Sequence, residues 1–479
     1  MGPPRSRGDQ VTLFPAEATQ RGIARELYAH ARDLPLISPH GHVDPALLAN
    51  DEPFGDPARL FVVPDHYVTR MLNSQGIPPA RLGVPSVDGS AVETDGRAIW
   101  RLLAANWRLF RGTPSRLWTE KVFAEVFGIE KRFGADTADE IYDELSARLA
   151  EPEYRPRALF TRFNIEVLAT TESPIDDLAV HAKLAADGWG GPGGRVITTF
   201  RPDNLVDMEW TGWAERVAVL GELTGLDVGT YPGFLSALRA RRELFVAAGA
   251  TSSDHGHPTA ATVELSDADV AVLYRKGLGG AADAADAETF RAHMLVEFAR
   301  MSLEDGLVMQ LHPGSVRNHN RALHARHGRD VGGDIPSGTE YVQALRPLLD
   351  RYGDDPRLRI VLYTLDETAF TRELAPLAGG YAAIYLGAPW WFLDSPEGLR
   401  RFRETVTESA GFYNTAGFVD DTRAFCSIPA RHDVARRVDA GYLARLVAEG
   451  RLPLDEAAET IADLAYHLPK KVFRLDRTA

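Results

Sequence analysis

Two imidazoles sit two residues apart in Ser38-Pro39-His40-Gly41-His42, directly behind the apolar run Leu34-Pro35-Leu36-Ile37. Residues i and i+2 of a strand share a face, so His40 and His42 can converge on one point. Neutral imidazole is the commonest protein metal ligand, and a pair on a rigid strand suits a divalent ion such as Zn²⁺. The bland alternative is a pair of inert, hydrogen-bonded polar residues at a loop mouth. Far along the chain, Asp421-Thr422-Arg423 repeats the spacing with a carboxylate and a guanidinium. Asp421 is suited to be a third ligand, or a general base held between a metal and Arg423.

Other clusters carry chemistry less specifically. Asp65-His66-Tyr67-Val68-Thr69-Arg70 packs an acid, an imidazole, a phenol and a guanidinium together. His66 and Tyr67 can move protons, and Arg70 can hold a carboxylate; an amphipathic helix start explains the same residues. Arg201 could present a guanidinium fork to an anion or serve a salt bridge. Ser253-Asp254-His255-Gly256-His257 adds two imidazoles. The stretch from Gln310 to Asn320, with His312 and Arg317, offers donors suited to a polyhydroxylated ligand. Trp390-Trp391 can wall a sugar or pack as a buried aromatic pair. Cys426 reads as a small buried apolar residue. No Gly-x-Ser-x-Gly, P-loop or His-Glu-x-x-His is present.

These residues need a frame that brings them together. Eight short β-rich runs each end in a polar cluster: Leu34 to Ile37, Ile165 to Thr171, Arg195 to Phe200, a weak run at Ala250 to Ser253, Leu307 to Leu311, Leu358 to Leu362, Ala382 to Leu386 and Ala416 to Val419. Alternating with helical patterns, they predict a (β/α)8 barrel whose strand ends carry the chemistry. An open doubly wound sheet is the rival, but no Gly-x-Gly-x-x-Gly follows the first run. The long gap between the first two runs holds helical spacing at Ile99, Leu103, Trp107 and Phe110, and helices over Glu120 to Phe127 and Ala138 to Leu149. It reads as a lid or cap inserted on the active face. The expected divisions are 1–33, a tail and leading helix; 34–58, the first strand and loop; 59–157, the helical insertion; and 158–479, the rest of the barrel with C-terminal helices over Asp433 to Phe473.

With 479 residues and a formal charge of −14, the chain is large enough for a big core and poorly suited to nucleic acid or an anionic membrane. It has no apolar stretch of the ~18 residues that a membrane span requires. Met1 to Gly8 lack the apolar core of a secretory signal and read as a disordered tail. A single cysteine excludes an intramolecular disulfide and fits a reducing cytoplasm. Any anionic substrate must be drawn in by local arginines.

The chain resembles the uronate (glucuronate) isomerases, divergent members of the amidohydrolase superfamily, from about Leu34 to Phe473. The resemblance rests on the motifs above, on Thr170-Thr171-Glu172-Ser173-Pro174 with Asp176-Asp177, on Phe200-Arg201-Pro202-Asp203, and on Trp390-Trp391-Phe392 and Arg431-His432, all in the same order. It implies a distorted (β/α)8 barrel with a helical insertion. It also implies interconversion of D-glucuronate with D-fructuronate and of D-galacturonate with D-tagaturonate, in hexuronate catabolism. By resemblance His40, His42 and Asp421 form the metal site and Arg201 clamps the sugar carboxylate. Tyr67, Asp421 and Arg423 move the proton between C2 and C1, with His66 nearby. Arg70, His255, His312, Arg317, Trp390 and Trp391 are the remaining substrate-binding candidates. The implied partner is a small hexuronate, with homo-oligomerisation left open.

The departures sharpen the reading. Many members carry Asp-Tyr before the His-x-His where this chain has Ser38-Pro39. Hydrolytic relatives carry a lysine at the fourth strand and a histidine at the sixth; neither run offers one here. A binuclear hydrolytic centre is therefore incomplete, and the divalent metal, Zn²⁺ for preference, is expected to be weakly bound or dispensable. A metal-dependent hydrolase of a lactone or amide is the alternative, and a non-catalytic sugar-acid binding protein a further one.

Overall fold

Strands hidden on both faces read as continuous apolar runs, which is how parallel barrel strands are written. The computed structural model describes residues 13–189 and 194–476, so the tail expected over residues 1–8 lies outside the described residues. Strand β1 (Leu36–Ser38) pairs in parallel with β2 (Ile165–Ala169), and β2 with β3 (Arg195–Ile197). Strand β4 (Ser252–His255) pairs with β5 (Val308–Leu311). A two-stranded antiparallel ladder follows, β6 (Ser315–Val316) with β7 (Ile335–Pro336). Strands β8 (Ile360–Leu362) and β9 (Ile384–Leu386) then extend the parallel sheet from β5.

Single contacts close the two sheets into a barrel. Phe200 bridges to Ser253, Leu386 bridges to Thr415, and the N–H of His42 donates to the carbonyl of Thr422 at 3.0 Å. The last contact joins the eighth segment to the first. The run expected as an eighth strand, Ala416 to Val419, is not regular. Gly417 sits there at φ 75°, and a Cβ on it would lie 2.8 Å from the Pro469 ring. The chain turns left-handed to let the C-terminal helices pack close, and the ladder is lost.

Strand β4 lies two residues beyond its apolar run and is built from Ser252-Ser253-Asp254-His255. All four are buried, and both serine hydroxyls meet neighbours: Gln310 Nε2 donates to Ser252 Oγ at 3.1 Å, and Ser253 Oγ lies 3.0 Å from His255 Nε2. The antiparallel ladder was not foreseen. Between its strands runs the strap 317–334, whose Gly332 packs on the helix His66–Asn73; a Cβ there would lie 2.9 Å from Arg70 Cβ.

The insertion is helical, with the helix Ala138–Leu149 at its expected bounds. Pro114–Lys121 runs into a π-turn at Val122–Val126 where one helix was expected. The expected divisions after residues 58 and 157 fall within the helices Pro57–Phe61 and Pro156–Arg162. Trp100, Phe123, Phe127 and Phe133 are buried in a cluster that continues into Leu36, Ile165 and Leu168 of the barrel and Ile428, Val434 and Val438 of the long helix Ile428–Ala448. Each such ring buries ~200 Å², worth roughly 5 kcal/mol before entropy. The insertion and the barrel share one core. No described helix is long and apolar enough to cross a membrane.

Candidate active site

The barrel closes at Gly41, where a Cβ would stand 3.3 Å from the Thr422 carbonyl. A side chain here would crowd the close approach of the first and eighth segments, which brings the flanking imidazoles to Asp421. Asp421 itself is left-handed, at φ 37°, a conformation costly for any residue but Gly and best tolerated by Asn and Asp. Its Oδ1 lies 3.4 Å from His40 Nε2 and 3.2 Å from His42 Nε2. Yet Oδ1 makes no hydrogen bond, nor does His40 Nδ1. Asp421 Oδ1 stands 3.2–3.4 Å from both imidazole nitrogens, and the three ligand atoms lie within 4.8 Å of one another, as a metal could require. The residues fit a divalent ion such as Zn²⁺.

Burial would lower the His40 pKa, but Asp254 and Asp421 outweigh it and hold the imidazole above its usual value. Burial wins at His42, which is lowered. It would raise Asp421, but His40 and His42 keep that carboxylate well below its usual range.

A second triad shares His40. His312 stacks on His40 at 4.7 Å and on Tyr363 at 4.0 Å, and its Nδ1 lies 2.7 Å from Asp254 Oδ1. His40, Asp254 and His312 are thus also grouped as a metal could require. Asp254 was visible within its motif but its role was masked by the two histidines after it. It comes from the fourth strand, where a lysine was sought.

Arg201 is held from two sides. Its Nε donates to Asp203 at 2.9 Å, its Nη1 lies 3.2 Å from Asp254, and its Nη2 packs where a Cβ on Gly256 would sit, 2.5 Å away. Two of its nitrogens are thus engaged by carboxylates, while the side chain also lines the main cavity beside His312 and Asp421.

The remaining candidates surround a cavity of about 470 Å³. His66 and Tyr67 open the helix His66–Asn73, capped by Asp65, whose Oδ1 accepts from Tyr67 N at 2.8 Å. Their rings stack at 4.6 Å. Burial, helped by Arg423, pushes His66 down to about 3, and burial pushes the Tyr67 phenol up, so both are neutral near pH 7. Trp390 packs edge-on to His312 at 4.8 Å, while Trp391, at φ 51°, lies under Arg317 at 5.3 Å. Arg423 reaches only Asp330, at 3.9 Å, and Arg317 spends one nitrogen on Asp334 at 3.0 Å. All of these line the cavity, as do Asp330, Asp334 and Arg431, which sequence reasoning left without a role. Arg431 is buried against Asp394 at 2.5 Å and stacks over Trp118. Two candidates lie elsewhere: Arg70 stacks on Phe392 at 4.4 Å, and His255 turns outward onto Phe298. Strand alternation explains the second, since Asp254 takes the inward position.

A smaller cavity beside His42 and Arg423 is lined by Glu172, which burial raises from 4.5 to about 7. The folded chain keeps this proton where the unfolded chain has lost it, so stability falls as pH rises from 4.5 to 7 and stays lower above. Glu172→Gln is expected to stabilise the protein at pH 8 by up to on the order of 3 kcal/mol, with little effect at pH 4.5. Urea midpoints at the two pH values check this; equal shifts at both would refute it.

The parallel barrel, its imidazole–carboxylate centre and its arginine-flanked polar cavity are the architecture of a barrel enzyme. Residues 17–473 match the family model described as glucuronate isomerase. A uronate isomerase of Phenylobacterium zucineum is 59% identical over 98% of this chain and 96% of its own length. The crystal structure of a glucuronate isomerase from Caulobacter crescentus superposes with a TM-score of 0.95 at 54% identity, covering 100% of this chain and 98% of that one. A uronate isomerase from Thermotoga maritima gives 0.89 at 30% identity, covering 96% and 98%. The chain belongs to the glucuronate isomerase family. The hydrolase and binding-protein alternatives are not favoured.

Proposed function

We propose that this enzyme interconverts D-glucuronate with D-fructuronate, and D-galacturonate with D-tagaturonate, by proton transfer through a cis-enediol. The observation that carries the reading is a single carboxylate, Asp421, set between two imidazoles and next to the loosely engaged Arg423. Asp421 takes the C2 proton while the electrons of the C1 carbonyl move onto O1. A proton passes from O2 to O1, and Asp421 returns its proton to C1. The imidazoles keep Asp421 ionised and therefore available; its low basicity is offset because Arg423 and the neutral Tyr67 and His66 donors stabilise the enediolate charge. A divalent ion, held by His40, His42 and Asp421, would supply Lewis-acid polarisation of the carbonyl oxygen.

Arg317 takes the role first expected of Arg201. It stands at the mouth with donors to spare, above the indole of Trp391, and fits the far carboxylate of an open-chain uronate. The lone buried thiol of Cys426 fits a reducing cytoplasm as the place of reaction. Turnover of glucuronate in D₂O is expected to place deuterium at C1 of the ketose. Product free of C1 deuterium would point to a hydride shift and sink the enediol route.

A further inference from the structure

A second imidazole pair lies outside the reaction chamber. His255 ends β4 facing outward, and His257 follows two residues on; both are buried, at 1% and 5% exposure. Asp203, two residues beyond Arg201, meets them from the neighbouring segment, with its Oδ1 3.8 Å from His257 Nε2. Ligand atoms of the three residues lie within 4.8 Å of one another. His255 Nε2 is satisfied by Ser253, but His255 Nδ1 and both nitrogens of His257 have no hydrogen-bond partner. Native interiors rarely leave three buried ring nitrogens orphaned; such groups call for an ion or ordered water. The charge balance favours an ion. Asp203, Asp207, Asp254 and Glu288 face the two imidazoles, against Arg201, Arg291 and an Arg242 already paired with Asp305, and Arg291 is itself bonded to Glu288 at 2.9 Å.

We propose that Asp203, His255 and His257 form a second site for a divalent transition metal of the Zn²⁺ class, separate from the His40–His42–Asp421 centre. Two imidazoles and one carboxylate are an established donor set for such ions, with room for water as a further ligand. Tetrahedral spacing is about 3.3 Å, so binding draws the Asp203–His257 pair inward by about half an ångström. Asp203 keeps a lone pair for the ion while accepting from Gly256 N and Arg201. The ion sits between the barrel and its helices and braces Asp203, which holds Arg201, which in turn holds Asp254 beside His312. It is a positioning site that substrate does not touch.

Full-length protein, stripped with chelator and titrated with Co²⁺, tests this by equilibrium dialysis and visible d–d absorption. His257→Gln is expected to bind one equivalent fewer than the unaltered chain. A His40→Asn/His42→Asn double variant is expected to keep one equivalent, with an absorption band of its own. Equal uptake by His257→Gln and the unaltered chain overturns the proposal, as does a double variant that is folded by circular dichroism yet binds no Co²⁺. The latter result would mean that only water fills the cluster. Should His257→Gln fail to fold, the double variant decides alone.

Discussion

Replacing Asp421 with asparagine is expected to lower kcat by about three to four orders of magnitude with little change in KM. A positioned general base alone contributes about 10² to 10⁴, and here the same oxygen faces both imidazoles of the candidate metal centre. The substitution removes charge and basicity but keeps shape. It also keeps the fold, because asparagine tolerates the left-handed conformation at φ 37° as aspartate does. Loss of turnover should therefore occur in a protein with unaltered circular dichroism. Steady-state assays on glucuronate check it, and a kcat within tenfold of the unaltered enzyme would remove Asp421 from the chemistry.

Arg317→Met should act mainly on binding. Two charge-assisted bonds to a carboxylate in a partly enclosed mouth are worth about 3–4 kcal/mol, or roughly 10² to 10³ in kcat/KM. Most of that should appear as a raised KM. The comparison substrate is the aldohexose that lacks the carboxylate: the variant should lose its preference for the uronate while handling the aldose no worse. Arg201 offers the contrast. Held by Asp203 and Asp254, it should lose stability as well when truncated. If Arg317→Met leaves kcat/KM within threefold, the clamp lies elsewhere.

Much of this site was legible because it obeys short-range rules. The i, i+2 spacing of His40 and His42 and of Asp421 and Arg423 pointed to one mouth, and all four line one cavity although they lie just beyond regular strand. The helix over Ala138–Leu149 was equally plain from its periodicity. Other features depended on neighbours distant in sequence. Strand β4 is polar at all four positions and acquires its burial from β5 and the helices outside, so no apolar signal marks it. The eighth run looked like a strand until Gly417 turned left-handed against Pro469. Arg201 showed its type but not its company, and Asp254, which occupies it, was overlooked beside two more conspicuous histidines. The strap that delivers Arg317, Asp330 and Asp334 hangs on a ladder of only two residues per strand, too short to leave a pattern.

The seam at Gly41 and Thr422 has a consequence for timing. The imidazoles are made near the start of synthesis and their carboxylate near its end, and only barrel closure sets them face to face. A nascent chain thus carries an open pair of histidines through almost the whole of translation without the third group that would make them a centre. The candidate centre is complete only once the last segment docks. Chains cut short before Asp421 are therefore expected to be inert, however well their earlier strands have assembled.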